Sequence, residues 1–112
     1  VIAEIVSLSG YESQVRTLLS EEERIAMEFF IVCAPENHPV IPGAGGFRKA
    51  RWARRGKGKS GGVRVVYFFV AKPGRIYMAA IYAKSRQETL SAADQNVLAK
   101  LAAQIKKAGK GG

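Results

Sequence analysis

Over residues 37–87 the chain carries twelve cationic side chains and no aspartate or glutamate: Arg48, Lys49, Arg51, Arg54, Arg55, Lys57, Lys59, Arg64, Lys72, Arg75, Lys84 and Arg86. A segment of one sign is an electrostatic footprint for a polyanion, with nucleic acid the default candidate and an acidic protein partner the alternative. Within it, residues 53–60 read ARRGKGKS, one residue short of the phosphate-cradling pattern G-x-x-x-x-G-K-[ST]. That pattern needs a hydrophobic strand before it and a helix N-terminus after it, whose amide donors and dipole hold the phosphates. Here GGFRKARW precedes it, and GGVRVVYFFVA, alternating and rich in strand formers, follows. Ala53 also stands where the tight turn wants a residue free to adopt positive φ. The stretch therefore reads as a cationic connection between two strands that meets phosphate through side-chain charge.

Other reactive residue types are sparse. Cys33 is the only cysteine and His38 the only histidine, so the chain offers no intrachain disulfide and no zinc ligand set, and neither metal nor cofactor is expected. Cys33 lies among Phe29, Phe30 and Val32, a setting that predicts a buried and inert thiol. His38, between Asn37 and Pro39, reads as a loop residue. The first thirty-six residues reverse the charge pattern, with seven glutamates against Arg16 and Arg24, although the whole chain is +9 with a pI near 10.1.

These residues must be positioned by one domain: 112 residues suffice to bury roughly 65% of the unfolded surface around one core. A hydrophobic content of 47% is globular. No apolar run approaches the ~20 residues of a membrane span, and VIAEIVSLSG lacks the charged start of a secretory signal, so a soluble cytoplasmic protein off the membrane is expected.

Residues 2–6 form a short apolar run with strand character, and a helix is expected over 11–19. Ser20-x-x-Glu23 is a capping box for a second helix that Pro35 stops, and its apolar residues Ile25, Met27, Phe29, Phe30, Val32 and Cys33 wrap widely, which predicts a well-buried helix. PENHPVIPGAGG is a loop. Strands are expected over 47–53, 63–71 and 76–83, with KPG turning between the last two. Ser91-x-x-Asp94 opens a final helix with Val97, Leu98, Leu101 and Ile105 in one stripe, and residues 107–112 are expected to fray. The order is β-α-α-β-β-β-α, an α+β domain with an antiparallel meander packed on helices.

Period-two alternation sorts the charges. Lys49 and Arg51 share one face of their strand, opposite Ala50 and Trp52; Trp52 is assigned to the core, with base stacking as the alternative. Arg64, Val66 and Phe68 share a face of the next strand, and Met78, Ala80, Tyr82 and Lys84 share a face of the last. If Lys49, Arg51, Arg64 and Lys84 point the same way, the sheet has a cationic outer face with Tyr82 beside it.

The run GGFRKARWARRGKGKSGGVRVVYFF followed by IYAKSRQETLS resembles the HigB-type branch of the RelE/ParE superfamily of bacterial toxin–antitoxin toxins, and the element order extends the likeness over nearly the whole chain. The resemblance implies a RelE-like α+β fold, a small curved antiparallel β-sheet packed on N-terminal helices, and a toxin that cleaves mRNA positioned in the ribosomal A site. Its partners would be mRNA on the ribosome, ribosomal RNA and a cognate antitoxin with a helix-turn-helix domain. The cleavage so implied uses the neighbouring 2′-OH and gives a 2′,3′-cyclic phosphate. It needs a proton acceptor, cations for the phosphorane and a proton donor for the leaving oxygen. By motif position, Lys49 and Arg51 bind phosphate, with Lys49 a candidate base; Arg64 stabilises the transition state; Lys84 holds the phosphate or assists the leaving group, with Arg86 the alternative. Crowding by other cations lowers a lysine pKa and suits it to proton transfer. Arg48, Arg54, Arg55, Lys57 and Lys59 are assigned to RNA binding. The tyrosine that RelE itself uses near its C-terminus has no counterpart, since no tyrosine follows Tyr82, leaving Tyr82 or Lys84 as proton donor. Two other readings compete: a ParE-like gyrase inhibitor, against which the basic sheet argues, and a non-catalytic RNA- or ribosome-binding module, which charge alone supports equally.

Overall fold

The computed structural model describes residues 3–54, 62–84 and 90–111. In chain order these form β1 (Glu4–Ser7), α1 (Tyr11–Leu18), α2 (Glu21–Cys33), β2 (Arg48–Trp52), β3 (Val63–Val70), β4 (Arg75–Ala83) and α3 (Ala92–Gly111). The expected order and the α+β class hold. The sheet runs β1-β4-β3-β2; β2, β3 and β4 form an antiparallel meander, while β1 joins β4 in parallel, with Ile5 beside Ile76. The sheet is thus mixed.

Both expected N-caps form, and at Ser91 the full reciprocal capping box is seen. Ser20 Oγ accepts the Glu23 N–H at 3.1 Å, an N-cap worth about 1 kcal/mol, in front of three glutamates that suit the positive end of the α2 dipole. Ser91 Oγ accepts the Asp94 N–H at 3.1 Å, and Asp94 Oδ2 accepts the Ser91 N–H at 3.3 Å. α3 runs to Gly111. No helix among the described residues is long and apolar enough to cross a membrane.

Each face of the sheet carries its own core. On one, Tyr11, Val15 and Leu19 from the α1 region and Met27 and Ile31 of α2 pack on Ala50, Val63, Val65, Tyr67, Ile76, Met78 and Ile81. On the other, Leu98 and Ala102 of α3 and Ile41, Ala44 and Phe47 pack on Val66 and Phe68. The face expected to be outward is therefore half covered by α3. Gly45 permits this approach: its φ is +71°, and a Cβ there would lie 2.9 Å from Ala102 Cβ.

A β-bulge corrects the alternation expected for β4. Val66 pairs with Ala80, but Tyr67 pairs with Met78, so Ala79 is an extra residue in β4. Met78 consequently faces the α1–α2 core with Ile76 and Ile81, and not the side of Tyr82. Without the bulge, either Ile76 and Met78 or Ile81 would turn out of that core.

Two expectations for α2 fail. Only Met27 and Ile31 are buried; Ile25 is 61% exposed, Phe29 67% and Phe30 41%, and Cys33 is exposed. The sheet is narrow, and α2 touches it along one stripe, so an apolar sequence that wraps the helix cannot all be covered. Val97 likewise lies exposed beside the buried stripe of α3.

Candidate active site

Strand register assembles the cationic row. Arg51 of β2 pairs with Arg64 of β3, and Arg64 pairs with Tyr82 of β4; in the next row Lys49 pairs with Val66 and Val66 with Ala80. Val66, Ala80 and Tyr82 belong to the α3-side cluster, which places Lys49, Arg51 and Arg64 on that face by alternation. The Lys84 N–H donates to the Gly62 carbonyl at 3.0 Å, extending the pairing one residue past β4 and setting Lys84 on the Tyr82 side. The face is therefore apolar under α3 and cationic at the open end of the strands.

Each member is held differently. Arg64 is only 7% exposed on a strand with neighbours on both sides, and its Nη1 approaches the Val63 carbonyl at 3.4 Å. Arg51 is exposed, and Lys49 and Lys84 are half-buried. A buried cation flanked by more accessible ones is able to stabilise negative charge brought to this face: fixed positive charge in a partly desolvated site acts more strongly than it would in water.

The stretch that carries these residues is matched by a family model. Residues 43–111, which span β2 to α3, match the model described as the RelE toxin of the RelE/RelB toxin–antitoxin system. The chain belongs to the RelE toxin family. A free-state structure of an E. coli RelE mutant with two arginines replaced by alanine superimposes with a TM-score of 0.60, at 15% identity, over 87% of this chain and 96% of that one, and shows the fold. As a RelE-family toxin the chain has an antitoxin as partner.

Not every expected site residue of this RelE-family toxin joins the row. Arg48 alternates to the other face and donates from Nη1 to the carbonyls of His38, at 2.8 Å, and Glu36, at 3.1 Å. It ties the loop down, with the Tyr67 hydroxyl donating to the Pro35 carbonyl at 2.6 Å beside it. Burial lifts that phenol to about 12, and burial, then the Arg48 charge, hold His38 below the usual imidazole range. Trp52 packs against the α1–α2 core as expected, half-buried, its Nε1 donating to Glu23 at 3.1 Å. Arg54 is half-buried; Arg55, Lys57, Lys59 and Arg86 lie outside the described residues. The Tyr82 hydroxyl oxygen is buried, which sets it back from the open end of the face.

Sequence reasoning missed Gln14. Its Oε1 accepts the Ile81 N–H at 3.1 Å, and with Tyr82 it lines two hollows of about 420 and 290 Å³. Nothing in the local sequence marks a contact between positions 67 apart. The network that fixes α1 to α2 was equally hidden. Arg24 donates to Glu12 and Glu28 and lies 5.6 Å from the Tyr11 ring centroid, and the Tyr11 hydroxyl donates to Glu28 at 2.7 Å. The Arg24 hydrogen bonds, then that from Ser7, hold Glu12 at about 2, while burial and then Glu28 push the Tyr11 phenol well up.

Proposed function

We propose that this toxin is a ribosome-dependent endoribonuclease that cleaves mRNA in the A site, acting in the cytoplasm and belonging to the HigB-like branch of its family. The observation that carries the reading is the Arg51–Arg64–Tyr82 row with Lys49 and Lys84 on the same face. Lys49, as the neutral amine, takes the proton of the ribose 2′-OH; the oxygen attacks phosphorus as the bond to the 5′-oxygen breaks, leaving a 2′,3′-cyclic phosphate. Arg51 and Lys49 seat the phosphate, and Arg64 stabilises the equatorial charge. The ammonium of Lys84 protonates the departing 5′-oxygen; it takes this role over Tyr82, whose hydroxyl is buried. Arg54, with Arg55, Lys57, Lys59 and Arg86 from outside the described residues, grips RNA, and a helix-turn-helix antitoxin neutralises the protein.

Induction in a bacterium, followed by primer extension, tests the reading: mRNA is cut inside codons on ribosomes, and Arg64→Ala lowers cleavage by about 10²–10³ while circular dichroism stays native. Intact mRNA with arrested replication would establish gyrase inhibition instead. Ribosome binding without any cut mRNA would leave a non-catalytic module.

A further inference from the structure

A surface helix normally turns charge to solvent, but the outward pole of α2 is apolar. Ile25, Phe29 and Cys33 succeed one another at four-residue spacing along it, all exposed, with Ala26 exposed beside them and Phe30 41% exposed. A groove of about 570 Å³ runs alongside, lined by Ser20, Glu22, Glu23, Ala26, Trp52 and Ala53. The rim is anionic: Glu21 and Glu22 are exposed at the helix start and Glu36 just beyond its end. Arg24, the one cation within α2, turns inward to Glu12 and Glu28. A chain of net charge +9 thus keeps one acid-edged apolar ridge on α2, whose buried residues Met27 and Ile31 pack on the sheet face opposite the cationic row.

We propose that this pole of α2 is the docking face for a segment of the cognate antitoxin whose apolar side chains are flanked by lysine or arginine. Charge complementarity selects that chemistry: nucleic acid and anionic lipid are repelled by the glutamates, whereas basic flanks meet Glu21, Glu22 and Glu36. A second copy is disfavoured because an antiparallel α2 pair sets the Glu21–Glu22 end of one helix against the Glu36 end of the other. The ridge also lies outside residues 43–111, the stretch that matches the family model, so it is a surface on which a cognate partner can be told from the shared target. The proposal rests on membership of the toxin family and stands apart from RNA cleavage.

Cys33 provides a reporter without mutation. With the full-length toxin and its co-expressed antitoxin, alkylation of Cys33 by N-ethylmaleimide slows at least tenfold in the complex, and Phe29→Glu and Ile25→Glu each weaken antitoxin binding, measured by titration calorimetry, at least 100-fold. Phe29→Glu toxin without antitoxin cuts mRNA as the unsubstituted toxin does, and escapes rescue in cells. Unchanged alkylation in the complex overturns the proposal, and decides it alone if the variants fail to fold. Loss of a dimer in light scattering on Phe29→Glu, with antitoxin affinity intact, assigns the face to a second copy and also overturns it. A toxin that cuts no mRNA removes the proposed nuclease reading while affinity and alkylation still decide the docking.

Discussion

Arg51 and Arg64 are cross-strand partners in the β2–β3 ladder, so two cations stand side by side on one face of the sheet. Like charges directly opposite each other destabilise a ladder by roughly 0.2–1 kcal/mol. The fold keeps this cost where a polyanion would relieve it. Arg51→Ala is therefore expected to raise folding stability by about 0.2–1 kcal/mol in urea titration, and to lower mRNA cleavage at least tenfold. Loss of stability in this variant would remove the argument that the pair is held in place for function.

Salt should act on the same face. Binding to ribosomes falls linearly on a log–log plot against salt, because each neutralised phosphate releases counterions. Arg51→Ala should flatten the slope by about 0.7–1, whereas Lys106→Ala should leave it unchanged. Lys106 is occupied with the Gly45 carbonyl, at 3.1 Å, and with the Phe68 ring. Filter binding at several salt concentrations measures the slopes.

The second core depends on one glycine. At Gly45 a Cβ would approach Ala102 Cβ at 2.9 Å and the Ala99 Cα at 3.1 Å, and φ is left-handed. Since the obstacle includes helix backbone, Gly45→Ala must lift α3 and is expected to destabilise by about 1–3 kcal/mol, with α3 loosening first in hydrogen exchange.

Acid should weaken the fold in two steps. His38 and Glu12 both titrate below their ordinary values, the first through burial and Arg48, the second through its hydrogen bonds to Arg24 and Ser7, at about 2. A group whose folded pKa is lowered binds more protons in the unfolded chain, so stability rises with pH. The His38 contribution is complete above its unfolded value of about 6.5 and is lost as pH falls through its folded one. That of Glu12 is complete above 4.5 and lost as pH falls toward about 2. Urea midpoints taken from pH 8 to pH 2 should show both declines, and His38→Gln should remove the upper one alone.

The sequence by itself determined the element order, both capped helices and the concentration of cations in one segment, because caps, turn residues, hydrophobic period and charge are local properties. It also placed Lys49 and Arg51 on one face of their strand, since alternation along a regular strand needs no tertiary information; that Arg64 shares this face was decided by the register of β2 with β3. Tertiary structure decided what depends on pairing and coverage. The extra residue Ala79 swapped the face of Met78, because a bulge is a relation between two strands. The same narrow sheet that covered Met27 and Ile31 left Ile25, Phe29 and Cys33 in solvent, since composition states how apolar a helix is but not how wide a surface awaits it. Arg48, which alternation sets opposite Lys49 and Arg51, found its partners in two loop carbonyls that only the folded chain brings within hydrogen-bonding distance.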